Sequence, residues 1–174
     1  RGGATQVDSQ TFQWGANEGV GNFELESFST GTLIDNLSIS TISQTFASWI
    51  ATFPNVGGQT AVGDDPDGDG IDNGAENFFG TNPGTFSQGL VPGTVSGSTF
   101  TCTHPLNPTP ASDLTAAYQW SKDLSTFTPN GGTSGGSTVT FVQGAPAGGM
   151  VTVTATVTGT PLTKLFASVK VMQN

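Results

Sequence analysis

The most constraining feature of this 174-residue chain is an acidic stretch over residues 65–76, Asp-Pro-Asp-Gly-Asp-Gly-Ile-Asp-Asn-Gly-Ala-Glu. Asp65, Asp67 and Asp69 alternate along it, so their carboxylates converge if the backbone curls. Gly70 permits the sharp turn that such a curl needs, because glycine adopts positive φ without steric cost. Clustered carboxylates repel one another unless a cation lies between them. The stretch therefore predicts a metal-binding loop rather than an ordinary surface turn.

The spacing within this loop also predicts which metal it holds. Oxygen-bearing side chains stand at loop positions one, three, five, nine and twelve, with glycine at six, which is the spacing of an EF-hand-type calcium loop. Ca²⁺ takes six to eight oxygen ligands. The predicted ligands are the side chains of Asp65, Asp67, Asp69, Asn73 and Glu76 and the carbonyl of Ile71. Asp72 is expected to cap the following helix. The sequence contains one such loop without a paired hand, which favours a structural over a regulatory role for Ca²⁺.

Composition narrows the class of protein. The formal net charge is −9, and no Lys or Arg occurs between Arg1 and Lys122, so nucleic-acid binding and attraction to an anionic membrane are not expected. Charged residues make up only 10% and glycines number 25, which favours β-rich extracellular material. Cys102 is the single cysteine, so no intrachain disulfide can form. No stretch is long enough for a membrane-spanning helix, and we expect no membrane insertion. The chain begins at Arg1, so we expect a processed protein or a piece of a longer one.

Three regions are predicted along the chain. Residues 1–41 are expected to form β-strands, of which 32–40 is the clearest, with Leu33, Leu37 and Ile39 on one face. Residues 42–84 are expected to form a helix-loop-helix segment. Its first helix covers 42–53 and stops at Pro54, and its second covers 72–79 and ends at Gly80. Residues 85–174 return to strands.

The third region carries period-two alternation typical of half-buried strands. Residues 151–158 alternate valine or alanine with threonine, which predicts one buried and one solvated face. The other predicted strands are 98–104, 114–120, 138–142 and 165–172, and the glycine-rich stretch 129–137 is expected to be a loop or hairpin tip. Five or more short strands in about ninety residues favour a small sandwich of immunoglobulin or fibronectin type. The fold class predicted is therefore mainly β.

Several segments carry a resemblance to known proteins. They are Phe46-Ala47-Ser48-Trp49-Ile50 with Phe53-Pro54, the loop Asp65-Pro66-Asp67-Gly68-Asp69-Gly70-Ile71, and Asn77-Phe78-Phe79-Gly80-Thr81-Asn82-Pro83. Together they resemble a helical calcium-binding module of large secreted bacterial surface proteins, and the loop is similar to those of thrombospondin type 3 repeats and dockerins. The resemblance implies a module that links β-domains. Gly74-Ala75 departs from it, since bulky apolar residues usually stand there, and this departure predicts a short or loosely packed second helix.

The flanking β-regions resemble the same architecture. Tyr118-Gln119-Trp120-Ser121-Lys122-Asp123-Leu124-Ser125-Thr126-Phe127 is similar to part of the small β-sandwich that follows the module in that family. Ile34-Asp35-Asn36-Leu37-Ser38-Ile39 resembles the last strand of a jelly-roll, lectin-like domain. The resemblance implies jelly-roll-like strands in 1–41 and an Ig-like sandwich in 85–174, joined by a short helical calcium-binding linker in 42–84.

Other chemistries were weighed against simpler interpretations. Cys102 and His104 share a strand face, but the spacing places them roughly 7 Å apart, and we interpret Cys102 as a core residue. Glu18, Glu24 and Glu26 are interpreted as a solvated face rather than a catalytic pair. Two aromatic pairs, Phe12 with Trp14 and Tyr118 with Trp120, have the spacing to stack on sugars, although core packing is the simpler interpretation.

The predicted function follows from these features. We expect a non-enzymatic, secreted or cell-surface bacterial structural protein, stabilised by Ca²⁺. The strands predicted in 1–41 are too few for a complete jelly roll, so we expect self-association into an oligomer or fibre through β-strand contacts. The alternative is a carbohydrate-binding accessory or adhesion module of a larger secreted protein, with glycans as partners.

Overall fold

The computed structural model describes residues 43–174, which form one compact unit, Ser43–Asn174. The unit is mainly β, with two antiparallel sheets and few helices. The strands are β1 Gly93–Ser96, β2 Thr99–Pro105, β3 Leu114–Ser121, β4 Thr128–Pro129, β5 Thr133–Ser134, β6 Ser137–Gln143, β7 Met150–Gly159 and β8 Phe166–Gln173. They are preceded by α1 Phe46–Ile50, a 3₁₀ turn Pro54–Val56 and α2 Asn73–Phe79. The predictions for residues 1–41 lie outside the described residues.

The two sheets differ in size. The first has five strands in the order β1-β2-β7-β6-β5, and the second has three in the order β4-β3-β8. Their core follows from alternation: Val151, Val153 and Ala155 of β7 are buried. Trp120 of β3 is fully buried within the same apolar cluster. The mainly β prediction is confirmed, and so are the strands predicted over 98–104, 114–120, 138–142, 151–158 and 165–172, to within one or two residues at either end.

The three shortest strands are additions to the prediction. β4 and β5 have two residues each. β1 has four residues, and all four are exposed. β5 pairs with the start of β6, so the glycine-rich stretch 129–137 is a hairpin tip with one strand of its own. Strands this short contain too few residues to show an alternation. Pairing with longer neighbours holds them in place, which sequence periodicity does not reveal.

The first helix is shorter than predicted. The expected helix over 42–53 is a helix only over Phe46–Ile50, and Ile42 lies outside the described residues. Thr45 provides the N-cap, its hydroxyl accepting a hydrogen bond from the Ser48 N–H. After Ile50 the backbone tightens, with Phe53 N–H donating to the Ile50 carbonyl. The predicted helix was too long because the apolar pattern continues to Phe53, whereas the hydrogen bonding changes to the 3₁₀ type after Ile50.

The second helix is short, which is one of the two alternatives predicted from Gly74-Ala75, and it is closely packed there rather than loose. α2 has seven residues, and Ala75 and Phe79 are buried in it. A Cβ at Gly74 would lie 2.5 Å from Val62 Cγ1 and 3.2 Å from Val171 Cγ1. Glycine stands there because the helix backbone presses directly on its neighbours. Gly80 ends α2 in the left-handed conformation at φ 78°, as predicted.

Asp113 joins three parts of this unit. One of its carboxylate oxygens accepts the Phe46 N–H at 2.6 Å, and the other accepts the Gln173 side-chain amide at 2.9 Å. Its backbone carbonyl accepts the Asn174 N–H at 2.9 Å. The two bonds to the carboxylate lower the pKa of Asp113 below its usual value, and the bond from Gln173 has the larger effect. The start of α1 and the end of β8 therefore meet at one residue.

Candidate metal centre

Asp65 shapes the turn at the centre of the acidic loop. Its two carboxylate oxygens accept the backbone N–H groups of Gly68 at 3.0 Å and Gly70 at 2.9 Å. Both glycines have positive φ, 76° and 87°, which residues with a Cβ rarely adopt. A short acidic side chain that bonds its own downstream backbone is the usual way in which Asp stabilises turns. The DGDG pattern thus forms the curl that the sequence predicts.

Asp67 and Asp69 continue the same arrangement. Asp67 Oδ1 accepts the Asp69 N–H at 3.2 Å, and Asp69 Oδ1 accepts the Ile71 N–H at 2.7 Å. Asp69 Oδ2 accepts the N–H of Ser87, eighteen residues further on, at 2.7 Å. Ser87 was not among the predicted residues, and no local pattern could have identified it. The loop is therefore hydrogen-bonded to the segment that leads into β1.

The three aspartates come together as predicted. One carboxylate oxygen from each of Asp65, Asp67 and Asp69 lies within 4.8 Å of the other two. Asp67 Oδ2 is buried without a hydrogen-bond donor. Burial raises the pKa of Asp67, and the nearby charges of Asp69 and Asp65 raise it further, although a bond from the Asp69 N–H opposes this. This triad of oxygens could hold a metal ion.

Glu76, like Asp67, has a buried carboxylate oxygen without a donor. It is fully buried in α2, where Oε1 accepts a hydrogen bond from the Thr81 hydroxyl at 3.1 Å and Oε2 has no donor. Burial, followed by the charges of Asp67, Asp69 and Asp65, raises the pKa of Glu76 to about 7, although the Thr81 bond opposes the rise. Glu76 is not one of the three residues whose oxygens lie within 4.8 Å of one another, but a buried carboxylate exposed to their charges is unfavourable unless a proton or cation neutralises it.

Asn73 is hydrogen-bonded through its side-chain NH₂, which leaves the predicted ligand oxygen unpartnered. Its side-chain NH₂ donates to the carbonyls of Gln59 at 3.1 Å and Ala61 at 2.9 Å, while Oδ1 is buried without a donor. The amide thus holds the segment before the loop against the start of α2, and its oxygen remains free. Ile71 is half-buried. The ligand roles of Asn73, Glu76 and the Ile71 carbonyl stay predictions.

Two further features of the loop connect to α2. Asp72 Oδ1 accepts the Ala75 N–H at 2.8 Å, which confirms the predicted helix cap. The Asn73 N–H donates to the Asp64 carbonyl, and the Gly74 N–H donates to the Val62 carbonyl. The chain before the loop is thus fixed to the first turn of the helix after it. The loop is closed at its base by protein hydrogen bonds, and its acidic oxygens face one another.

The remaining candidates are structural. Cys102 is buried, and its burial raises the pKa of the thiol, which disfavours the nucleophilic thiolate. The His104 ring bonds instead to the Pro105 carbonyl at 2.7 Å and the Tyr118 hydroxyl at 2.8 Å. Trp120 is fully buried and cannot stack on a sugar. Glu18, Glu24, Glu26, Phe12 and Trp14 lie outside the described residues.

Aromatic side chains pack α2, the helix that follows the acidic loop, against both sheets. Phe78 and Phe79 of α2 lie 5.4 Å and 5.2 Å, between ring centroids, from His104. Phe78 also meets Tyr118 edge-on at 6.4 Å, and Tyr118 stacks on Phe141 at 5.5 Å. Burial raises the pKa of Tyr118 to about 12. The position of α2, and with it that of Glu76, is therefore fixed by contacts with both sheets.

Comparisons with known proteins found no matching family model, no matching curated protein and no matching solved structure. Within residues 43–174, no helix is both long enough and apolar enough to cross a membrane.

Proposed function

We propose that the protein is a non-enzymatic, extracellular or cell-surface structural protein whose acidic loop binds one Ca²⁺. The observation that carries the proposal is the convergence of oxygens from Asp65, Asp67 and Asp69, whose charges also raise the pKa of the fully buried Glu76, where Oε2 lacks a donor. Ca²⁺ suits such a site because it is a hard cation that takes several carboxylate and carbonyl oxygens in flexible geometry. Mg²⁺ suits it less, since it demands near-ideal octahedral geometry and keeps its waters.

Ca²⁺ would act here as a staple between the loop and the sheets. Asp69 is hydrogen-bonded to Ser87, and Glu76 belongs to a helix whose Phe78 and Phe79 pack on His104. An ion that ties Asp65, Asp67 and Asp69 to Glu76 would therefore tie the loop to the packed helix. Asp67 Oδ2 and Glu76 Oε2, which the protein leaves without donors, are the oxygens best suited to ligate it.

The finer architecture is part of this proposal. The order β1-β2-β7-β6 in one sheet and β3-β8 in the other corresponds to the A-B-E-D and C-F order of immunoglobulin-type sandwiches, which supports an Ig-like assignment. We further propose that the helical segment orients this sandwich relative to β-structure formed by residues 1–41, and that the protein self-associates through strand contacts. Carbohydrate binding by Tyr118 and Trp120 is not proposed, because both pack against the buried cluster of the sandwich.

Thermal unfolding with and without Ca²⁺ tests the metal assignment. We expect Ca²⁺ to raise Tm and EDTA to lower it, and a Ca²⁺ concentration about 100 times Kd to add about 2.7 kcal/mol to the free energy of unfolding. Asp67→Asn is expected to abolish most of this difference. Asp123→Asn, at an exposed carboxylate in a turn after β3, is the matched control and is expected to keep it. Equal Tm values for the wild type in Ca²⁺ and EDTA would overturn the assignment.

A further inference from the structure

The three-stranded sheet lacks a strand on one side of the sandwich. β4 lies beside β6, since the Asn130 amide and the Phe141 backbone exchange hydrogen bonds and the Gly131 N–H donates to the Val139 carbonyl. β4 and β8 form the two edges of the three-stranded sheet. β8 therefore lies on the side of the sandwich where β2 and β1 form the other sheet. Within residues 43–174, β8 pairs with β3 alone. No described residue therefore pairs with the backbone groups along the outer edge of β8.

Side chains that point inward on this side are exposed. Val95 of β1 stands directly opposite Phe100 in the ladder, so the two share a face, and Phe100 packs on the core. Val95 is nevertheless 75% exposed. Ala167 of β8 stands opposite Trp120, which is fully buried, yet Ala167 is itself exposed. Both positions belong to the interior of a sandwich, and neither is covered.

Val95 borders a groove on this side of the sandwich. A cavity of about 450 Å³ lies between the β1–β2 hairpin and the segment that leads into β8, and its apolar lining includes Val95, Phe100, Leu162 and Leu165. Lys164 is the only charged residue in its lining. At the other end of β8, Val171 is covered by α2 at Gly74. The opening is thus limited to the first half of β8.

We propose that this cavity, called here the acceptor groove and lined by Val95, Phe100, Leu162 and Leu165, accepts a strand from a second copy of the chain. The inference deepens, and rests on, the self-association part of the proposed function. The donated strand is the segment 32–40, whose backbone pairs with the free edge of β8 while its apolar side chains enter the groove.

Length and charge favour this segment as the occupant. It has nine residues, enough to pair with the open half of the eight-residue β8. If it is extended, Leu33, Asp35, Leu37 and Ile39 fall on one face. Asp35 is the only charged residue of the segment, and Lys164 is the only charged one among the described residues that line the cavity. Direct pairing of two β8 strands is disfavoured, because it would bring Lys170 near its own copy.

Single substitutions on each side of the contact provide the first test, measured by sedimentation velocity of the full chain in Ca²⁺. Val95→Lys is expected to weaken association at least tenfold, whereas Thr94→Lys, at the exposed neighbour on the opposite face of β1, is expected to assemble like the wild type. Leu37→Lys and Ser38→Lys form the equivalent pair on the donated segment. A monomeric wild type, or a Val95→Lys protein that assembles normally, would overturn the proposal.

A mixture of the two defective proteins gives the sharper test. Val95→Lys keeps its donor segment and Leu37→Lys keeps its groove, so an equimolar mixture is expected to form a complex of two chains and to stop there. A mixture that stays monomeric contradicts donation between copies. The Ca²⁺-dependent shift in Tm is measured on every variant: its retention shows that the fold and the metal site are intact. Failure of the groove and failure of the metal assignment are thereby distinguished.

Discussion

The sandwich and the acidic loop are stabilised by different means within one compact unit. In the sandwich, Val151, Val153 and Ala155 alternate into an apolar cluster, and ladder hydrogen bonds satisfy the backbone. In the loop, carboxylates satisfy backbone N–H groups, but Asp67 and Glu76 each keep a buried oxygen without a donor. The first region contains its own source of stability, namely burial of apolar surface. The second has a deficit of positive charge that a cation would fill.

The largest expected effect comes from the sandwich core. Trp120→Ala is expected to lower the free energy of unfolding by about 3–5 kcal/mol, because it leaves a cavity in a fully buried site. The loss should be equal in Ca²⁺ and in EDTA, as measured by urea unfolding. Trp120→Phe is the milder control, since it keeps an aromatic ring and removes an indole N–H that has no acceptor. A cost that differs by more than about 1 kcal/mol between the two buffers would contradict the separation of the two regions.

The next largest effect is a pH dependence of stability that arises from the acidic loop and α2 and not from the sandwich. In the metal-free fold the pKa of Glu76 rises from 4.5 to about 7, so between these values the folded chain holds a proton that the unfolded chain has lost. The stability of the protein in EDTA should therefore fall as pH rises from about 4.5 to about 7. Asp67, whose pKa is also raised, adds to the same trend.

Calcium should reverse this trend, because the metal requires the deprotonated carboxylate. Ca²⁺ affinity is expected to drop roughly 50-fold between pH 7 and pH 5, because the ionised fraction of Glu76 falls from about one half to about one hundredth when its pKa is about 7. Calorimetric Tm values at several pH values, in both buffers, provide the measurement. Glu76→Gln removes the ionisable group, so the part of the pH dependence of Tm that comes from Glu76 should disappear in both buffers. Identical pH slopes in Ca²⁺ and EDTA would count against Glu76 as a ligand.

The smallest expected effect comes from the boundary between the two regions. Gly74→Ala places a methyl group against Val62 and Val171 and is expected to cost about 1–3 kcal/mol through overpacking. Adding Val62→Ala should recover part of that loss, because the two changes share one contact. Gly58→Ala, where a Cβ would meet nothing within 4 Å, is the matched control and should change stability by less than about 0.5 kcal/mol. Chemical unfolding of the four proteins in Ca²⁺ tests this; equal stability of Gly74→Ala and Gly58→Ala would contradict it.

Local patterns predicted the parts of the fold that local physics determines. Alternation located β2, β6 and β7, and the aspartate spacing located the curl around Asp65, because both depend on a few neighbouring residues. Local sequence patterns could not predict contacts between residues that are distant in sequence. The carbonyl partners of the Asn73 amide lie twelve and fourteen residues earlier, and Ser87 reaches Asp69 from eighteen residues later. The close packing at Gly74 could not be predicted for the same reason, since the crowding comes from Val62 and from Val171 in the last strand.

The hydrogen bonds of Asp113 have a mechanical consequence. Residues near the start of α1 and at the end of β8 are bonded to the same aspartate, so a pulling force applied between these two points meets this junction first. The force would load a few short bonds around one turn, while the long ladders between β2, β7 and β6 lie off the direct path. Under such a force, the junction would be the first part to yield. The unit could then lengthen at that point while its sheets and acidic loop remained folded.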